Sequence, residues 1–156
     1  MNVTTHHIKK EIDNTTGNIL SFDFGEKRIG VAVGNNLTKI PHPLETINSA
    51  INSKRFKTIE RLISQWTPIY IVVGLPLNED GSKSKLSLLA EKFSNKIRNK
   101  FNIETFLVDE RYSSTEAELM LKANEKDFKK RKLVIDQVSA QIILSSYFER
   151  GDLEIT

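Results

Sequence analysis

The sequence has no cysteine among its 156 residues. That excludes a disulfide framework, a zinc–thiolate centre and a cysteine nucleophile. Histidine is nearly as scarce. Of the three present, His6 and His7 lie in a polar N-terminal arm and His42 sits between Pro41 and Pro43, which leaves little for zinc chemistry. No apolar run approaches the roughly 18 residues of a membrane span. Residues 1–17 are polar and lack the apolar segment of a secretory signal. These absences predict a cytoplasmic protein with no membrane partner. Internal repeats, low-complexity tracts and the glycine-rich loops of P-loop enzymes and protein kinases are also missing.

What is present reads as one soluble domain. A hydrophobic fraction of 38% with 28% charged residues is a globular composition, and the length suits a single core. The net charge of +3 and pI near 9.1 tolerate a nucleic-acid partner without demanding one. Basic residues gather at Lys126, Lys129, Lys130, Arg131 and Lys132. Taken alone, such a run reads as a solvated loop.

Periodicity divides the chain. Residues 1–17 form an N-terminal tail, expected to be disordered, 18–150 the domain, and 151–156 a C-terminal tail. Asn18 to Asp23 and Arg28 to Gly34 read as strands joined by a turn at Gly25–Lys27, hence an antiparallel hairpin. Leu44 to Ile47 is a brief third strand. Phe56, Ile59, Leu62, Ile63 and Trp66 recur at helical spacing within Asn52–Gln65, ahead of Pro68. Ile69 to Val73 is a continuous β-branched run, as in a buried parallel strand. Ser84 to Lys100 predicts a helix with Leu88, Leu89, Phe93 and Ile97 inward, and Glu104 to Val108 another strand. Ser113 or Ser114 can cap a further helix carrying Glu116, Ala117, Met120 and Leu121. The basic loop follows, then a helix over Val134–Phe148 with Gly151 as its stop. The fold class is therefore α/β: a mixed five-stranded sheet, a three-stranded antiparallel meander plus two parallel strands, flanked by helices.

Three acidic positions stand out. Asp23 ends the first strand, Asp109 and Glu110 end the last, and Asp136 falls in the first turn of the last helix. Strand ends of an open α/β sheet gather ligands. Clustered carboxylates repel a phosphodiester unless they hold divalent metal, and their hard oxygens suit Mg²⁺ or Mn²⁺. Two such ions about 4 Å apart can activate water and stabilise a leaving oxygen. Each acid also has a plain alternative. Asp23 can form an Asx-turn before Gly25, Asp136 can complement a helix dipole, and the Asp109–Glu110 pair can face solvent.

Phe22-Asp23-Phe24-Gly25 followed by Arg28-Ile29-Gly30-Val31-Ala32 resembles the opening of the YqgF/RuvX family. Val72-Val73-Gly74-Leu75-Pro76-Leu77-Asn78 with Asp80-Gly81 resembles its second block. Asp109-Glu110-Arg111 with Ser113, Ser114 and Glu116-Ala117 is similar to the third, and Asp136-Gln137-Val138-Ser139-Ala140 with Ile142-Ile143-Leu144 and Tyr147-Phe148 to the last. The likeness runs in order from about Ile19 to Arg150. It departs at Asn35-Asn36, where the family often has a small or acidic residue.

The resemblance implies a ribonuclease-H-like fold and a metal-dependent nuclease acting on structured nucleic acid. The family is described both as pre-16S rRNA nucleases and as Holliday junction resolvases. It makes Asp23, Glu110 and Asp136 the catalytic, metal-holding acids for one or two Mg²⁺ or Mn²⁺ ions. Asp109 is a helper that could exchange roles with Glu110. Arg28 and Arg111 become phosphate-binding candidates, with salt bridges to neighbouring acids as the alternative. Asn78 joins Gly74 and Pro76 at the site's rim, and Lys129, Lys130, Arg131 and Lys132 become nucleic-acid contacts. Expected partners are RNA or DNA junctions and a ribosome precursor, with the chain a monomer or homodimer.

Two rivals compete. Asp-Phe-Gly before an Ile-Gly-Val-Ala-Val strand also resembles the phosphate hairpin of the actin and sugar-kinase group, but those proteins join two such domains and this chain has room for one. The other rival is a non-catalytic nucleic-acid-binding or ribosome-maturation factor.

Overall fold

The computed structural model describes residues 16–110 and 128–150, the side chains of 128–131 and 150 excepted. Strands β1 (Asn18–Phe24), β2 (Ile29–Asn35) and β3 (His42–Ile47) come first, then helix α1 (Asn52–Trp66), β4 (Tyr70–Leu75), α2 (Lys85–Phe101), β5 (Thr105–Asp109) and α3 (Phe128–Arg150). The sheet order is β3-β2-β1-β4-β5. The first three strands are antiparallel neighbours, and β4 and β5 run parallel to β1. This is the mixed five-stranded arrangement expected from the sequence.

Strand alternation sorts the apolar residues onto two faces. Leu20, Phe22, Val31, Ile71 and Val73 join Phe56, Ile59, Leu62, Phe93 and Ile97 of α1 and α2 in one core. Ile19, Tyr70, Val72, Phe106 and Val108 join Ile143, Leu144 and Tyr147 of α3 in the other. The central strands are apolar on both sides for this reason, whereas edge strand β3 tolerates Pro43.

Local chemistry sets the helix ends. Thr67 takes a left-handed conformation (φ 41°), and its N–H donates to the Ile63 carbonyl at 2.8 Å before Pro68 bars continuation. Ser84 and Ser87 form a reciprocal capping box on α2, and Asn102 ends that helix at φ 54°. Asn35 and Asn36 are turn formers: Asn35 Oδ1 accepts the Leu37 N–H, and Asn36 Oδ1 accepts that of Gly17. The latter bond ties Gly17, within the expected tail, to the turn after β2.

Three expectations need correction. Leu88 is 58% exposed rather than inward. It lies nine residues before Ile97, two and a half turns, and so on the opposite side of the helix. The basic stretch is not a loop from Phe128 onward but the start of α3, since Lys and Arg are good helix formers. Asp136 consequently stands in the third turn, too deep for a dipole role. The expected helix after Ser113 lies outside the described residues, as does residue 151, just past the end of α3.

Helix α3 crosses the sheet at close range. Ser21 Oγ donates to the Ala140 carbonyl at 2.8 Å, and Thr46 Oγ1 to the Leu133 carbonyl at 2.6 Å. A Cβ at Gly30 would overlap the backbone carbonyl of Asp136. Neither backbone can yield, so Gly30→Ala is expected to destabilise the protein by about 2 kcal/mol or more. Urea denaturation of the two proteins measures this, and an unchanged midpoint would show that α3 does not rest on β2 there.

Candidate active site

Register puts the acids together. Asp23 pairs with Gly30 across the hairpin, and Gly30 is where α3 brings Asp136 against the sheet. Two parallel strands away, Leu75 pairs with Asp109, and the Glu110 N–H extends the ladder to the Leu75 carbonyl at 3.2 Å. Alternation then separates the adjacent acids of β5. Phe106, Val108 and Glu110 share the α3 face with Ile19, Ser21 and Asp23, while Leu107 and Asp109 turn to the α1–α2 face.

Gly74 lies between Asp23 and Glu110 on the α3 face. A Cβ there would come within 2.8 Å of Glu110 Oε2 and collide with Ile143 Cδ1. Its absence lets the buried Glu110 side chain reach across β4 and hydrogen bond with Asp23.

The electrostatics follow from this crowding. Burial pushes the Asp23 carboxyl up to about 6; the hydrogen bond with Glu110 works against that shift, and the negative charge of Asp136 adds to it. Two carboxyl groups share a hydrogen bond only when one carries a proton. Below about pH 6 Asp23 therefore holds a proton where a cation could serve. Asp136 is held differently: Arg28 Nε donates to its Oδ2 at 2.7 Å. Among the described residues no three His, Cys, Asp or Glu side chains stand around a common point, and Asp136 is bonded to Arg28. The donor set is nonetheless all carboxyl oxygen, with Asp23 and Glu110 largely buried, which fits a hard divalent cation.

The other residues singled out in the sequence fare unevenly. The terminal nitrogens of Arg28 make no hydrogen bond among the described residues. Asn78 is exposed and closes its own turn, its amide donating to Ser82 Oγ at 2.9 Å while Ser82 N–H donates to Asp80 Oδ1 at 2.9 Å. Gly81 takes the positive φ of 87° that this turn requires. The Pro76 carbonyl accepts from Ser87 Oγ. Lys132 is exposed on α3, and Lys129, Lys130 and Arg131 belong to its first turns. Arg111 lies outside the described residues.

Arg55 carries no signal in the sequence, yet it is 3% exposed. Its guanidinium donates to the Gly25 carbonyl at 2.6 Å and to the Ser49 carbonyl, 5.5 Å from the Phe24 ring centroid. It fixes the turn directly after Asp23, and burial lowers its pKa. Only its helical position beside Phe56 hinted at burial.

A family model described as RuvX, Holliday junction resolvase, matches residues 17–150. The chain belongs to the RuvX family. Among its relatives, a Chromobacterium violaceum protein is 48% identical over 132 residues, covering 84% of this chain and 96% of its own. One from Methylobacillus flagellatus is 48% identical over 136 residues (87% and 93%) and one from Neisseria meningitidis serogroup B 45% over 138 (88% and 91%). All three are provisionally named pre-16S rRNA nucleases. Among solved structures, Thermus thermophilus RuvC in complex with a Holliday junction substrate aligns at TM-score 0.49 and 12% identity, over 86% of this chain and 95% of that one.

The raised Asp23 pKa has a consequence for stability in this RuvX-family chain. In the folded state Asp23 gains its charge near pH 6 rather than at its ordinary value of 3.8. Its contribution is thus favourable below about pH 4 and is lost as pH rises through 6. Asp23→Asn cannot ionise. In EDTA at pH 8 the variant is expected to be more stable than wild type by on the order of 2 kcal/mol, with the advantage fading by pH 4. Urea denaturation across that range, with and without Mn²⁺, tests it. A variant less stable at every pH would refute the electrostatic account.

Proposed function

We propose that this chain is a divalent-metal-dependent nuclease that hydrolyses phosphodiester bonds in structured RNA, its substrate the 5′ end of the 16S rRNA precursor in the cytoplasm. The observation that carries this reading is the Asp23–Glu110 hydrogen bond with Asp136 in electrostatic reach, in a family whose relatives bear that name.

Asp23, Glu110 and Asp136 would hold one or two Mg²⁺ or Mn²⁺ ions. When bound, such ions acidify a water molecule and offset the charge that develops on the phosphate and the leaving oxygen. The protein does the rest. A cation held by Asp23 and Glu110 would take the place of a proton on Asp23, so binding would be weaker below about pH 6. Arg28 orients Asp136 through Nε and keeps its terminal nitrogens for a phosphate oxygen. Gly74 keeps the floor between the acids clear, and the apolar wall of Ile143 limits water there. Asp109, on the far face, supports the strand end. Lys129, Lys130, Arg131 and Lys132 supply salt-sensitive affinity for the backbone, with Arg111 and Asn78 at the rim.

The family model's description favours a second reading, cleavage of a four-way DNA junction. Cutting two symmetric strands would require a homodimer, whereas a single RNA cut needs only a monomer. Purified protein in Mg²⁺ or Mn²⁺ should therefore meet a panel of 16S rRNA precursor, single-stranded RNA and four-way DNA junction. Cleavage of the precursor is expected, with Asp23→Asn and Glu110→Gln slowing it by about three orders of magnitude, ~4 kcal/mol of transition-state stabilisation. Junction cutting with an intact precursor would favour the second reading. Full activity in Asp23→Asn would end both.

A further inference from the structure

On the face of the sheet opposite Asp136, two adjoining depressions of about 470 and 180 Å³ run between α1 and α2 and share Asn52, Phe56 and Lys96. Phe24, Phe56 and Phe93 form the floor, and Lys92, Lys96 and Lys100 the wall. No acidic residue lines either depression. The three lysines stand four apart on α2, in one exposed stripe. Like charges at that spacing weaken a helix, so the stripe costs the free protein something that a bound anion removes. Lys92 and Lys96 form no ion pair among the described residues, and Lys100 Nζ lies 5.3 Å from the Phe56 ring centroid.

The groove is continuous with the site. Phe24 directly follows Asp23, and α1 and α2 both begin at the end of the sheet where β1, β4 and β5 finish. The first turn of α1 faces the groove with no side-chain cap and no acidic residue, adding the positive end of its dipole to the lysine field.

We propose that this groove is a second nucleic-acid subsite, which takes the single-stranded segment continuing from the strand held at Asp23. Phosphates lie along Lys92, Lys96 and Lys100 and bases lie against Phe24 and the edge of Phe56. Lysines one helical turn apart repeat about every 6 Å along the axis, close to the spacing of successive phosphates in an extended strand. Charged walls over an aromatic floor are how single strands are held without sequence preference. An acidic peptide would match the charge but leave the aromatic floor unused. The inference rests on the nucleic-acid side of the proposed function.

The test uses the full chain with Lys92, Lys96 and Lys100 all changed to Gln, three exposed positions on α2, its fold checked by circular dichroism. Anisotropy of a labelled oligouridine of about 8 nucleotides, in EDTA and across a salt series, reads binding without cleavage. Wild type and Asp23→Asn are expected to bind alike. The triple variant should bind at least tenfold more weakly, with a salt slope reduced by about 2, from roughly 0.7 for each lost phosphate contact. Equal binding by the triple variant overturns the inference while leaving cleavage at Asp23 standing. Loss of polyglutamate binding with oligouridine binding unchanged also overturns it, in favour of an acidic protein partner. Lysine-dependent binding by a wild type that cuts nothing in the substrate panel supports the groove and sinks the nuclease reading instead.

Discussion

The close approach of α3 to the β1–β2 hairpin is the constraint on which the site depends. Three strands each supply one fastening: Ser21 from β1, Gly30 from β2 and Thr46 from β3. Both hydrogen bonds end on helix carbonyls, using the lone pair that the helix's own ladder leaves over. The glycine contact is purely steric. Together they fix the helix along and across the sheet, so that Asp136 comes to rest beside Asp23 despite the long stretch of chain between them. Side-chain attraction cannot bring this about, since two carboxylates repel. The backbone contact imposes the juxtaposition, and the apolar packing of Ile143, Leu144 and Tyr147 supplies the free energy that sustains it.

Negative charge is thereby concentrated where water is scarce, and the protein relieves it in two ways. One proton serves Asp23 and Glu110, and one guanidinium serves Asp136. Both arrangements are reversible by a cation. Asp23 loses its proton near pH 6, and Arg28 grips only one oxygen of its partner. A site built purely for stability would replace such groups with apolar ones of similar volume, because buried charge is costly even when paired. Titratable groups kept at the cost of stability mark this end of the sheet as a candidate site.

Much of this was legible in the sequence. Alternation and helical spacing mark every described strand and helix, and the four motif blocks single out Asp23, Glu110 and Asp136 as candidates. Three things were not. The start of α3 was hidden because a run of lysines is compatible with both loop and helix, and only tertiary packing chooses. Leu88 was placed inward because apolar character outweighed its angular position relative to Ile97. Gly30 and Gly74 looked like ordinary strand residues. Their importance lies in what approaches them from elsewhere in the chain, and no local pattern encodes that.

The choice between Asp109 and Glu110 shows how far geometry goes beyond motif. Adjacent in sequence, they differ by half a pleat, and the pleat sends one to each face of the sheet. Face decides chemistry here: Glu110 meets Asp23 over the gap at Gly74, while Asp109 stands on the side of α1 and α2. The same parity operates at the end of β1, where Asp23 looks toward α3 and Phe24 toward the lysine-lined groove. One strand end thus offers a carboxylate to one face and an aromatic ring to the other. A polyanion passing over the turn at Gly25, which Arg55 holds rigid from beneath, would meet the acid site and the basic groove in succession.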